Sequence, residues 1–173
     1  MNTLRTALLR YGLVCFLCLM GAACSHYSLG GKKPKKFEEV QTIHVETARN
    51  NSYYARLESM MTSAIVEELN SSGMYVAGAS GSSDAILKTT IKSVGQDKIR
   101  SQPYNTYRNL QTMMRVVVEY QVIRTSDRME LSSGTITVHS DYYNQPNETS
   151  SKSDALSYAS RDAATNIVRR LTN

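Results

Sequence analysis

Few residues in this chain have the chemistry to be more than scaffold, and the first is Cys24 in "MGAACSHYSLGG". A cysteine there has four uses: buried thiol, half of a disulfide, metal ligand, or the residue at which a processed chain begins. Cys15 and Cys18 both lie inside the apolar run "YGLVCFLCLM". If that run is removed, Cys24 has no disulfide partner, and a lone thiol is a poor metal site. His26, His44 and His139 fall in no HExxH or comparable metal spacing. No G-x-S-x-G surrounds any serine. "GASGSS", from Gly78 to Ser83, lacks the lysine of a phosphate loop and precedes a strand pattern, so a connecting turn accounts for it. Asp127, Asp141 and Asp154 fall in expected turns or helix starts, where carboxylates cap backbone amides. The expectation is therefore no enzyme, no cofactor and no metal, but a covalent modification and a binding role.

The residues before Cys24 say which modification. Arg5 and Arg10 make a positive end without acids, residues 11–20 are apolar, and Gly21, Ala22 and Ala23 are small. That is the layout of a bacterial secretory signal. The apolar run is about half of the roughly 20 residues that a spanning helix needs. "GAAC" resembles a lipobox, in which the thiol is alkylated by diacylglycerol and the chain is cut just before it. It departs from the usual pattern in having Gly21 where leucine is common. Plain secretion with a free thiol is the alternative, but an unpaired thiol is a liability in an oxidising compartment. Acylation blocks it, and several acyl chains anchor stably because each buried methylene contributes about 0.8 kcal/mol. Ser25, not Asp, follows Cys24, which favours the outer membrane over retention at the inner one.

Removing residues 1–23 leaves 150 of 173 residues, enough for one domain with one core. The leader takes two of the 20 Lys and Arg and none of the 15 acids, leaving a net charge of +3. So small an excess is not the footprint of a nucleic-acid binder. Residues 24–37 read as a lipidated cysteine and a flexible basic tether, "SHYSLGGKKPKK", with anionic lipid headgroups as a second use for its lysines. Residues 38–173 read as the single folded domain.

The elements that must position any site follow from hydrophobic period. Glu38–Thr47 is a short strand with Ile43 and Val45 on one face, and Asn51 or Ser52 is placed to cap the next helix. That helix, Tyr53 to about Ser71, repeats Leu57, Met61, Ala64, Ile65 and Leu69. Gly73 suits the left-handed position after it. Asp84 to about Ile99 alternates, with Ala85, Leu87, Thr89 and Ile91 opposite Ile86, Lys88, Thr90 and Lys92. Thr112–Thr125 alternates likewise, with Met114, Val116, Val118, Tyr120 and Val122 on one face. Glu130–Tyr143 turns Gly134, Ile136 and Val138 inward. Asn144–Lys152 reads as a loop, and the final helix, about Ser153 to Leu171, carries an i, i+4 stripe of Ala155, Ala159, Ala163, Ile167 and Leu171. The order β-α-β-β-β-α predicts an α+β two-layer sandwich, a mostly antiparallel sheet with two helices on one face.

Taken together, the lipobox, "IHVET", "LESMMTSAIVEELNSSGMYV", "SDAILKTTIKSV", "VVVEYQVIRT", "ELSSGTITVHSDYY" and "DALSYASRDAATNIVRRL" resemble the lipopolysaccharide-assembly lipoprotein family, LptE. The resemblance runs from Ile43 to Leu171 and rests mainly on the order of these segments. It implies a lipid-anchored protein at the inner leaflet of the outer membrane. Such a protein sits as a plug in a large β-barrel partner, LptD, which it helps to assemble, and binds passing lipopolysaccharide without catalysis. Two segments depart from it: "ETARNNS", where many members carry an aromatic, and "QPYNTYRNL".

Lipid A presents phosphates and acyl chains, so a binding face should mix basic and apolar residues. Lys88, Lys92 and Arg115 are the candidates, expected to cluster on the open sheet face with Ile86 and Val117. The bland alternative is a solvated sheet face whose charges deter edge pairing. Arg100, Tyr104, Tyr107 and Arg108, in an expected exposed loop from Gln102 to Leu110, are the candidates for barrel contact, since Tyr and Arg are enriched at interfaces. A plain hairpin loop is the alternative there. The competing function is an accessory lipoprotein of similar fold that activates a peptidoglycan synthase or assists a transporter.

Overall fold

The computed structural model describes residues 33–102, 105–143 and 148–172, with the side chains of 100–110 and of Glu148 left out. The leader and Cys24 lie outside the described residues. The elements are β1 (Thr42–Val45), β2 (Arg49–Asn50), α1 (Leu57–Ser71), β3 (Val76–Ala77), β4 (Ala85–Gln102), β5 (Asn105–Arg124), β6 (Glu130–Tyr143) and α2 (Glu148–Thr172). One open sheet holds six strands in the order β3-β1-β4-β5-β6, with β2 also on β4. The three long strands pair antiparallel, as their short connections require. β1 instead lies parallel to both β3 and β4. The chain reaches that arrangement by crossing over through α1, which a hydrophobic pattern alone does not reveal.

The core lies between one sheet face and the two helices. Ala85, Leu87, Ile91, Met114, Val116, Val118 and Val122 are fully buried from the sheet side. From the helices come Leu57, Met61, Ile65 and Leu69 of α1 and Ala163, Ile167 and Leu171 of α2. Ala155, Ala159 and Ala163 let α2 approach the sheet closely, and α1 packs beside it. The expected inward faces of all these elements are the buried ones, because alternation and the 3.6-residue period leave no other way to hide the same side chains.

Boundaries moved for identifiable reasons. α1 begins at Leu57, four residues later than expected, and Asn51 and Ser52 do not cap it. Its N-cap is Arg56, left-handed at φ 70 with no side-chain cap. Asn50 closes this entry instead, accepting from Ser52 N at 2.9 Å and donating to Tyr54 O and to a Glu58 carboxylate oxygen. Gly73, at φ 67, takes the expected left-handed turn. α2 starts at Glu148, so residues 148–152 are helix, not loop, and Asp154 lies within it, not at its start. Asp141 is in β6, where its carboxylate accepts from the Gln111 amide at 3.2 Å, and not in a turn. Residues 33–37, expected to belong to the tether, are ordered against the domain. From Lys33 the chain docks on the domain, with Lys33 Nζ donating to Val40 O at 2.8 Å over the Tyr75 ring. Phe37 is buried edge-on against Tyr75.

Candidate functional site

Among the described residues, no helix lies on the second face of the sheet. Its side chains come from the residues between the buried ones: Ile86, Lys88 and Thr90 on β4, Val117, Glu119 and Gln121 on β5, Ser133, Thr135 and Thr137 on β6. Alternation holds until Lys92, where the β4–β5 register shifts between Ile91 and Ser93. Lys92 is the extra residue of a β-bulge, so Val94 returns to the core side. Two consecutive polar residues between Ile91 and Val94 are the signal of that bulge in the sequence.

Lys88, Lys92 and Arg115 therefore share the open face as expected, but they do not cluster. Lys88 lies opposite Gln121 and Arg115 opposite Gly95, which spaces these two along the sheet by roughly 20 Å at the usual strand rise. Each has a carboxylate of its own. Lys88 Nζ stands 3.8 Å from Glu46, Lys92 Nζ stands 3.1 Å from Glu119, and Arg115 pairs with Asp97. All six side chains are about half exposed, so each pair contributes only about 0–1 kcal/mol. The face is a line of self-neutralising pairs, not a basic patch.

One cation of the open face was not singled out from the sequence. Arg49 is in β2, whose two residues pair with Thr90 and Ile91. It is exposed and makes no ion pair among the described residues. It stood hidden in "ETARNNS", a segment too short and too polar to read as a strand. With Lys88, Thr90, Glu119, Gln121 and Ser133 it lines a hollow of about 440 Å³. Glu130 also borders it, accepting from Ser133 Oγ at 2.6 Å and from the Gln121 amide. Those two bonds, Ser133 first, hold the Glu130 carboxyl below its usual range.

The hairpin tip differs from the expected loop. Asn105–Leu110 belongs to β5, and among the described residues β6 pairs only from Gln111 on, so the end of the β4–β5 hairpin is there a two-stranded ribbon. Arg100, Tyr107 and Arg108 are on this ribbon, with their side chains outside the description, and Tyr104 lies outside the described residues. Among the described residues no three of His, Cys, Asp and Glu gather as metal ligands. His44 Nδ1 instead sits 3.2 Å from Gly78 O, tying β1 to the following turn. No described helix is long and apolar enough to cross a membrane.

Among known proteins, the family described as lipopolysaccharide-assembly, LptE, matches residues 40–171, which takes in every strand and nearly all of both helices. No curated protein matches. Among solved structures, a PelC dodecamer from Paraburkholderia phytofirmans is 13% identical with a TM-score of 0.52, covering 83% of this chain and 96% of that one. A protein from Xanthomonas campestris is 16% identical with a TM-score of 0.51, covering 75% and 81%. A minor lipoprotein from Acinetobacter baumannii is 14% identical with a TM-score of 0.50, covering 78% and 94%. At such identities these likenesses show a shared fold and nothing finer.

Proposed function

The chain belongs to the lipopolysaccharide-assembly family LptE, and from that premise we propose that it is an outer-membrane lipoprotein, acylated at Cys24, that assembles with and plugs an LptD-like β-barrel. In that position it binds lipopolysaccharide in transit to the cell surface and catalyses nothing. The observation that carries this reading is the family match over the whole folded domain. Its support in the geometry is a sheet that, among the described residues, is covered by helices on one side only. The other side is polar and charge-balanced, and a surface of that kind suits the water-filled interior of a large barrel. The ribbon beyond Lys98 offers a contact that can reach past the domain. Arg100, Tyr104, Tyr107 and Arg108 are the proposed barrel contacts, and the line through Lys88, Lys92 and Arg115 is the proposed lipopolysaccharide face.

The test is capture of tagged full-length protein from detergent-solubilised outer membranes, with mass spectrometry of what accompanies it. A stoichiometric large β-barrel is expected. Recovery of a peptidoglycan synthase or a transporter subunit, with no barrel, would sink the export role and leave the fold assignment intact. Depletion should make cells permeable to large antibiotics and lower surface lipopolysaccharide, whereas loss of a synthase activator should change cell shape with the lipid layer intact.

A further inference from the structure

The three predicted cations of the open face each make an ion pair with a carboxylate, and among the described residues Arg49 makes none. An incoming phosphate meets Arg49 without first displacing anything. The guanidinium fork matches two phosphate oxygens at once, and its weak hydration makes that exchange easier than for an ammonium. Thr90, whose residue pairs with Arg49 across β2 and β4, contributes a hydroxyl to the same hollow, and Ser133 lines its β6 side. Lys88 stands on the hollow too, held to Glu46 only by a long, half-exposed pair. Two carboxylates oppose an anion there. Glu119 is engaged by Lys92, and Glu130 by Ser133 and Gln121. They do not leave the hollow, so they lower its affinity.

We propose that Arg49 is the principal phosphate-binding residue of the open face, that it seats a lipid A phosphate in the hollow with Lys88 and Thr90, and that Glu46 and Glu119 compete with that phosphate. The inference rests on the lipopolysaccharide-binding role proposed above and names its subsite. A ligand held by one unpaired guanidinium against resident carboxylates is held loosely. Loose holding is what a surface that passes its ligand onward requires, because a tightly bound ligand would stall.

The test uses the full acylated chain in detergent, titrated with lipopolysaccharide, with enzymatically dephosphorylated lipopolysaccharide, and with inorganic phosphate as competitor. Arg49→Ala should weaken lipopolysaccharide binding about tenfold, the loss of charge-assisted bonds to one phosphate. Arg49→Lys should recover part of it. Glu46→Gln and Glu119→Gln should each tighten binding about threefold, and dephosphorylated ligand should bind the native chain as weakly as lipopolysaccharide binds Arg49→Ala. Arg49 makes no side-chain bond among the described residues, so its replacement should leave the melting temperature unchanged. If Arg49→Ala binds normally while Lys92→Ala and Arg115→Ala bind poorly, this subsite is wrong and the face remains the lipopolysaccharide surface. Indifference of the native chain and all variants to dephosphorylation would remove both. Inorganic phosphate competing as well as the glycolipid, mole for mole, would mark a free-anion site and overturn the lipid assignment.

Discussion

Asp84 shows how much a single side chain can organise. Its carboxylate accepts from Thr42 N at 2.8 Å, Gln41 N at 3.0 Å and Thr42 Oγ1 at 2.9 Å, fastening the start of β4 to β1. The backbone bond from Thr42, then that from Gln41, hold its carboxyl below the usual aspartate range. As pH falls the unfolded chain therefore takes up this proton before the folded one does. The stability from Asp84 is full above the ordinary aspartate value and is lost as pH falls through the lowered one. Asp84→Asn should cost about 1 kcal/mol at neutral pH and flatten that acid limb, measured by urea unfolding across the window. Thr89 is a contrary case: it is 3% exposed and its hydroxyl has no partner among the described residues. Thr89→Val keeps the shape and removes an unsatisfied group, so the thermal midpoint should rise, by about 1 kcal/mol of stability. Gly134 faces Tyr120 across the strands, and a Cβ there would stand 3.2 Å from the buried ring and 3.0 Å from the Arg170 guanidinium. Its place on the inward face was legible in the alternation. The aromatic lying over it was not, because register decides which residue stands opposite.

Among elements, α2 is the most demanding. Its stripe of Ala155, Ala159 and Ala163 is at most 1% exposed. Ala159→Leu should cost about 1–3 kcal/mol by overpacking, read as a fall in the denaturation midpoint, while the same change at exposed Asp162 should be nearly silent. The ribbon at the end of β4 and β5 stands at the other extreme. Among the described residues its strands pair with each other and not with β6 before Gln111. Excising residues 99–110 and closing β4 to β5 with a two-residue turn should leave the melting temperature within a few degrees of native, yet abolish capture of the barrel. Capture surviving the excision would move the partner contact elsewhere on the domain. The sequence predicts a shorter hairpin with an exposed loop here, because Pro103 and the length of the polar segment favour a tip. Backbone pairing between two strands does not need apolar alternation once neither face is buried.

At the scale of the whole domain, one sheet face is packed under two helices and, among the described residues, the other carries none. Cys24→Ser should release the protein from membranes and, if anchoring serves the export role, reproduce the permeability of a depletion, assayed by fractionation and antibiotic sensitivity. The family, the strand and helix order and the inward faces were all present in the sequence, because burial imposes a period that composition records. The parallel entry of β1, the bulge at Lys92 and the pairing of each basic residue with a carboxylate were not. Those depend on which strands become neighbours and in what register, and a one-residue shift sends every following side chain to the other face. Arg49 is the sharpest instance: the sequence shows an arginine in a polar segment, and only the sheet sets it beside a hollow with no ion pair among the described residues.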